Sequence, residues 1–118
     1  MVLEFLRRQG ASARWVTSVC SGAFLLAAAG LLDGRRATTH WSALDELAQV
    51  RDGAIEVDRT AIWVRDGAVW TSAGVTTGID MALAMVEEDV GRKVADLIAA
   101  HLVLYARRPG YQSQFSDV

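Results

Sequence analysis

The segment Thr17-Ser-Val-Cys-Ser-Gly-Ala-Phe24 limits what this chain can fold into more than any other. Arg14-Trp-Val-Thr-Ser-Val19 is β-branched and aromatic and reads as a strand. Ala23-Phe-Leu-Leu-Ala-Ala-Ala29 reads as a helix buried on most of its circumference. Only Cys20, Ser21 and Gly22 separate the two. Such a junction exposes its turn residue at the carboxyl edge of a parallel sheet, where α/β folds bind ligands. A thiol at that point faces the first backbone N–H groups of the helix and the positive end of its dipole, and both favour the thiolate. The N–H of Ser21 is then placed to stabilise an oxyanion during attack on carbon. Gly22 permits close approach of a ligand, or tight helix–strand packing. The competing reading of a single cysteine is a small buried hydrophobe.

The rest of the chain alternates strands and helices, which predicts an α/β fold with a mostly parallel sheet. Val2 to Gln9 reads as an amphipathic helix closed by Gly10 as its C′ residue. After the Ala23 helix, Gly30 and Asp33-Gly34 turn the chain into a short strand, Ala37-Thr-Thr39. Trp41 to Val50 reads as a helix with Trp41, Leu44, Leu47 and Ala48 inward, and Asp52-Gly53 is a turn. Ile55 to Asp58 and Ala61 to Arg65 are short strands. Asp66-Gly67 leads the second of them into Ala68-Val-Trp-Thr71, a hairpin signal. Thr76 or Thr77 is expected to cap a helix from about Gly78 to Asp89, with Ile79, Leu83 and Val86 on one stripe. A last helix, Lys93 to Ala106, has Val94, Leu97, Ile98, Leu102 and Tyr105 as its expected inward stripe, and Pro109 ends it.

Apolar residues make up 52% of the 118 and charged residues 22%, and the mean hydropathy is +0.20. A sheet buried on both faces accounts for part of that excess. A missing segment that covers part of the core would account for the rest, and the sequence looks cut at its front, with no strand before Arg14. The longest apolar runs are about half the roughly 20 residues a membrane span needs. Twelve basic residues against 14 acidic ones leave a net charge of −2, which carries no overall electrostatic footprint for nucleic acid. Val2 to Arg8 lacks the order of a signal peptide, and one cysteine forms no internal disulfide, so a reduced, cytoplasmic setting is expected.

Other candidate groups follow from the topology. His40 lies 20 residues after Cys20, at the end of the next strand, and successive parallel strand ends share one sheet edge. Its imidazole can serve the thiol as base or hydrogen-bond partner, or simply cap the Trp41 helix. His101 falls on the apolar stripe of the last helix and is expected to be a core histidine. Ser72-Ala-Gly-Val-Thr-Thr-Gly78 forms a second strand–Gly–helix turn, with Gly74 and Thr76 at a pocket wall or at a plain helix cap. Asp80 complements the dipole of that helix. One cysteine and two distant histidines give no metal-ligand cluster, and no cofactor is expected.

Val19-Cys-Ser-Gly-Ala-Phe-Leu-Leu-Ala-Ala-Ala-Gly-Leu-Leu-Asp-Gly-Arg-Arg-Ala-Thr-Thr-His-Trp41 resembles the nucleophile-elbow segment of the ThiJ/PfpI superfamily. Ser72-Ala-Gly-Val-Thr-Thr-Gly-Ile-Asp-Met-Ala-Leu83 resembles a second hallmark of those proteins. The resemblance implies the class I glutamine amidotransferase-like, flavodoxin-like three-layer sandwich, with a mostly parallel sheet and a short antiparallel hairpin, incomplete at its N-terminus. It implies a partial domain over residues 1–108 and a linker or tail over 109–118. Cys20 matches the family nucleophile and His40 a histidine often found beside it. Ser21 stands where the protease-like branch has a histidine, and the loop that supplies an acidic partner in the enzymes is absent.

Arg107-Arg-Pro-Gly-Tyr-Gln-Ser-Gln-Phe-Ser116 is similar to the segment that joins this domain to a helix-turn-helix domain in AraC-type regulators. The first implied function is therefore the ligand-sensing part of such a regulator, with a small-molecule pocket at Cys20, Ser21, Gly22, Gly74 and Thr76. DNA would be reached only through a domain outside this chain. The second is a cysteine-dependent hydratase or hydrolase, because isonitrile hydratases share a similar elbow and the Thr-His-Trp run. Homodimers are common in the superfamily, and a homodimer is expected here.

Overall fold

The computed structural model describes residues 1–102. Helix α1 (Val2–Gly10) leads into β1 (Val16–Val19), and α2 (Gly22–Ala28) follows the elbow. Strand β2 (Arg36–Ala37), a 3₁₀ turn (Trp41–Ala43), α3 (Leu44–Gln49) and β3 (Glu56–Val57) come next. The hairpin β4 (Trp63–Asp66) and β5 (Val69–Ser72) precedes α4 (Val75–Val90) and α5 (Arg92–His101). Strands β1, β5 and β4 form one sheet in that order, and β2 pairs with β3. β1 runs parallel to β5 with Val16 opposite Val69 and Val19 opposite Ser72, β2 runs parallel to β3, and β4 is antiparallel to β5. The expected α/β architecture, mostly parallel with one antiparallel hairpin, is what forms.

β5 occupies the centre because all four of its residues are buried. A strand covered on both faces must be apolar or hydrogen-bonded throughout. Its Val69 enters the main core with Ala23, Leu26, Ala27, Leu32 and Leu47 on the side of α1, α2 and α3. On the other face Trp70 packs between Trp15 and Trp63, with ring centroids 5.2 and 5.6 Å away. In the hairpin, Asp66 pairs with Val69, so the two-residue loop is Gly67-Ala68. Gly67 has φ +60°, which glycine adopts at least cost.

Three element boundaries and the inward faces of two helices differ from expectation, the last helix most of all. Gly10 lies within α1 rather than past its end, and a Cβ there would stand 2.9 Å from Leu31 Cδ2, so the residue serves close packing against Leu31. The Trp41–Val50 helix splits into a 3₁₀ turn and α3, leaving Trp41 exposed while Leu44 and Leu47 are buried. α4 starts at Val75, with Gly74 as N-cap in place of either threonine. Thr77 reaches back instead: its Oγ1 accepts from Gly74 N–H at 2.6 Å and donates to Gly74 C=O at 2.9 Å. On α4 Leu83 is buried as expected, but Ile79 is exposed and Met81 is inside.

The largest difference is in that last helix. α5 turns Ala95 and Ala99 inward and leaves Val94, Leu97, Ile98 and Leu102 exposed. Small residues let two helices approach closely, so the alanine face wins the contact with α4 and the bulky stripe is displaced outward. His101 is exposed with that stripe and is not a core residue. Between α4, α5 and Val19 runs an apolar groove of about 470 Å³, lined by Val75, Ile79, Ile98 and Leu102 among others. Tyr105, Pro109 and the Arg107–Ser116 segment lie outside the described residues. Among the described residues no helix is long and apolar enough to cross a membrane.

Asp58 holds the β3–β4 connection. Its Oδ1 accepts from Thr60 N–H at 3.0 Å, Ala61 N–H at 2.9 Å and the Thr60 hydroxyl at 3.2 Å, and Arg36 donates to Oδ2 at 3.2 Å. Partial burial pushes this carboxyl up, but the two backbone N–H groups, Thr60 and Arg36 together outweigh it and hold it below the ordinary 3.8. A carboxyl depressed on folding stabilises above its unfolded value, and that contribution fades as pH falls through the lower folded one. Asp58→Ala is expected to cost about 1–3 kcal/mol at neutral pH. Urea unfolding should show the difference from wild type shrinking as pH falls below about 3.8.

Candidate functional site

The β1–β5 pairing does not stop at Val19. Cys20 N–H donates to Ser72 C=O at 3.0 Å, so the ladder carries the thiol residue one step beyond the strand. There the backbone swings to φ +54°, a left-handed conformation that costs a non-glycine residue about 1–2 kcal/mol. Strain at such a position persists only where its surroundings over-determine it. Two contacts do so here. The Ser72 carbonyl holds the N–H side of Cys20, and Thr39 Oγ1 donates to Cys20 C=O at 2.7 Å. The chain then enters α2 at once, with Gly22 opposite Ser18, where a Cβ would lie 3.5 Å from Ser18 Cβ.

The ends of β1, β2 and β5 are therefore tied together at one edge by short polar side chains. Thr38 N–H donates to Thr71 Oγ1 at 2.9 Å, and Ser72 Oγ donates to Ser18 C=O at 3.2 Å. Thr38, Thr39, Thr71 and Ser72 are all fully buried. Buried hydroxyls without partners are costly, so this layer orders the strand ends only because its members satisfy one another. The exception is Ser18 Oγ, which is buried with no partner.

Cys20 is half-buried and is a free thiol. Ser21 is exposed and Gly22 half-buried beside it. The Thr39–Cys20 bond brings the start of the His40 turn to the elbow, and His40 is half-buried. His40 caps the 3₁₀ turn, accepting from Ser42 N–H at Nδ1, as the cap reading expects. Gly74 follows Ser72 by two residues and is half-buried, whereas Thr76 is exposed on the first turn of α4. Gly78 passes close to the end of β1: a Cβ there would meet both Val19 methyls at 3.2 and 3.3 Å. Asp80 is buried and, because α4 starts at Val75, lies beyond the first turn where a carboxylate best complements the helix dipole. Among the described residues no three His, Cys, Asp or Glu side chains cluster as metal ligands.

Sequence reading did not single out Thr39, Ser72 or Ser42 as site residues. The Thr38-Thr39 pair at a strand end was the available signal, since adjacent threonines there place hydroxyls on both faces of the strand.

Replacing Cys20 by Gly should relieve the left-handed backbone, and replacing it by Ala should not. In thermal or urea unfolding Cys20→Gly is expected to be more stable than Cys20→Ala by about 1 kcal/mol. Equal stabilities would remove the strain. Thr39→Val leaves the elbow carbonyl unpaired and should cost about 1–3 kcal/mol, with Thr39→Ser recovering most of it.

An isonitrile hydratase from Pseudomonas putida is 49% identical over 116 residues, covering 98% of this chain and 48% of that protein. The HTH-type transcriptional regulator CdhR from Pseudomonas aeruginosa is 34% identical over 113 residues, covering 96% of this chain and 33% of the regulator. The crystal structure of a THiJ/PfpI family protein from Pseudomonas syringae superposes with a TM-score of 0.79 at 38% identity, covering 98% of this chain and 49% of that one. The chain thus spans about half the length of the hydratase and of the solved structure, and a third of the regulator. The DJ-1/PfpI family model matches residues 1–88, and with the parallel sheet and the strand-to-helix elbow the chain belongs to the DJ-1/PfpI family.

Proposed function

We propose that this chain carries the thiol-bearing part of a cysteine-dependent hydratase that adds water to a small electrophile of the isonitrile type. The observation that carries the reading is the left-handed Cys20 at the end of β1, in a chain 49% identical to an isonitrile hydratase over almost its whole length. A half-buried thiol on a strained turn, with the residue's own N–H and C=O both anchored, is held ready for attack without reorganisation.

The chemistry balances as two additions. The Cys20 thiolate attacks the terminal isonitrile carbon, and that carbon takes a proton from water, giving a thioimidate. Water then adds across the C=N bond with its proton going to nitrogen, and as the C–S bond breaks the new hydroxyl gives its proton to the hydroxide left by the first step, releasing the thiolate and an N-substituted formamide. The Ser21 N–H, which has no acceptor among the described residues, is the donor available to the charge that develops beside the thiol.

Purified protein given an alkyl isonitrile should form the formamide, followed by chromatography, and Cys20→Ser should lower the rate by at least about a hundredfold. A Cys20→Ser rate equal to wild type would sink the nucleophile role.

The second reading is a ligand-sensing domain of an AraC-type regulator. It is favoured by the 34% identity to an HTH-type regulator over 96% of the chain and by the similarity of Arg107–Ser116 to an interdomain segment. In that case Cys20 lines a binding pocket: a small ligand would raise the melting temperature of wild type and Cys20→Ala alike, with no turnover by either.

A further inference from the structure

We propose that the backbone N–H of Ser42 fixes His40 as an Nε2–H donor, so that the imidazole serves the Cys20 site as a hydrogen-bond donor and not as a general base. His40 Nδ1 lies 3.2 Å from Ser42 N–H and 2.8 Å from Ser42 Oγ. A backbone N–H can only donate, so Nδ1 must present a lone pair. Neutral imidazole carries a single proton, which is then on Nε2.

The arrangement is built into the turn. His40 has φ −58° and ψ 142°, the extended backbone of an N-cap. Ala43 N–H closes the 3₁₀ turn onto His40 C=O at 2.9 Å, which presents Ser42 N–H to the ring. The ring packs on Trp41 with centroids 5.3 Å apart and planes inclined by 34°, so it is held on one face. Thr39, the preceding residue, is bonded to the Cys20 carbonyl at 2.7 Å, which ties this turn to the elbow.

To accept the thiol proton at Nε2, His40 would first have to carry its own proton on Nδ1, against the Ser42 N–H. The cap opposes that tautomer. A neutral imidazole instead donates to an electron-rich atom, as neutral histidines do when they polarise a substrate. The acceptor is the thiolate itself or the heteroatom bonded to the carbon under attack. The thiol proton leaves to water. The identity of the acceptor rests on the hydratase reading, whereas the tautomer does not.

Two-bond ¹H–¹⁵N spectra of labelled protein, at a pH where both imidazoles are neutral, test this without any substrate. The chain has two histidines, and the exposed His101 is the internal reference. His40 should show a fixed, unprotonated Nδ1 and a protonated Nε2, while His101 shows the averaged shifts of exchanging tautomers. Ser42→Ala keeps the backbone N–H and should keep the His40 pattern, and Ser42→Pro, which lacks it, should move His40 toward the average. A proton on Nδ1 of His40 in the wild type, or shifts matching those of His101, overturns the assignment whether or not Ser42→Pro folds.

The donor role has its own readout in the rate of Cys20 alkylation by iodoacetamide. His40→Gln, which retains an N–H donor, should stay within about threefold of wild type, and His40→Leu should fall by about tenfold. Equal losses in the two variants would refute the donor role. Failure of isonitrile hydration with these results intact would count against the proposed function alone.

Discussion

The bond from Cys20 N–H to the Ser72 carbonyl decides where everything else at the sheet edge can go. It extends the parallel β1–β5 ladder by one residue and so fixes the height of the elbow relative to the strand ends. With its N–H held by β5 and its carbonyl held by Thr39, Cys20 is anchored on both sides of its φ of +54°. The left-handed turn then aims the chain into α2 and puts the thiol at the carboxyl edge of the sheet. Without the buried central strand neither anchor would exist, since Ser72 and the Thr71 hydroxyl that binds Thr38 N–H both belong to β5.

The polar layer beneath the elbow explains how a chain with 52% apolar residues tolerates hydroxyls in its interior. Thr38, Thr39, Thr71 and Ser72 are buried but exchange hydrogen bonds across three strand ends, and each bond made inside a low-dielectric interior is also one that cannot be broken cheaply. The result is a hydrogen-bonded layer that ties the thiol at one strand end to the His40 turn after the next. His40 belongs to that layer twice, as the cap of its own turn and as the residue joined through Thr39 to the elbow.

On the opposite side of the sheet the packing follows a different rule. α4 and α5 meet through the small side chains Ala95 and Ala99, which permit close approach, and the bulky residues of α5 are left in solvent. The apolar face that results is continuous with Val19 and Val75. Half of each of the hydratase and the solved relative lies beyond the region this chain matches.

Local chemistry in the sequence was enough to determine the element types, the strand–Cys–helix junction, the Gly67 hairpin and the placing of the His40 turn after the next strand end. Those features depend on propensity and on turn residues, both of which are written in short segments. Periodicity misjudged the inward faces of α4 and α5, because a helix with apolar residues on most of its surface has no single preferred face until a partner helix selects one by fit. It also missed Thr39, Ser42 and Ser72, whose roles come from hydrogen bonds that reach the Cys20 peptide or the His40 ring only once the strands are paired and the turn is closed. A thiol at a strand-to-helix elbow was legible in the residues from Arg14 to Ala29 alone. Which neighbours hold it there emerges only on folding, because Ser72 and Thr39 reach Cys20 from distant parts of the chain once the strands are paired.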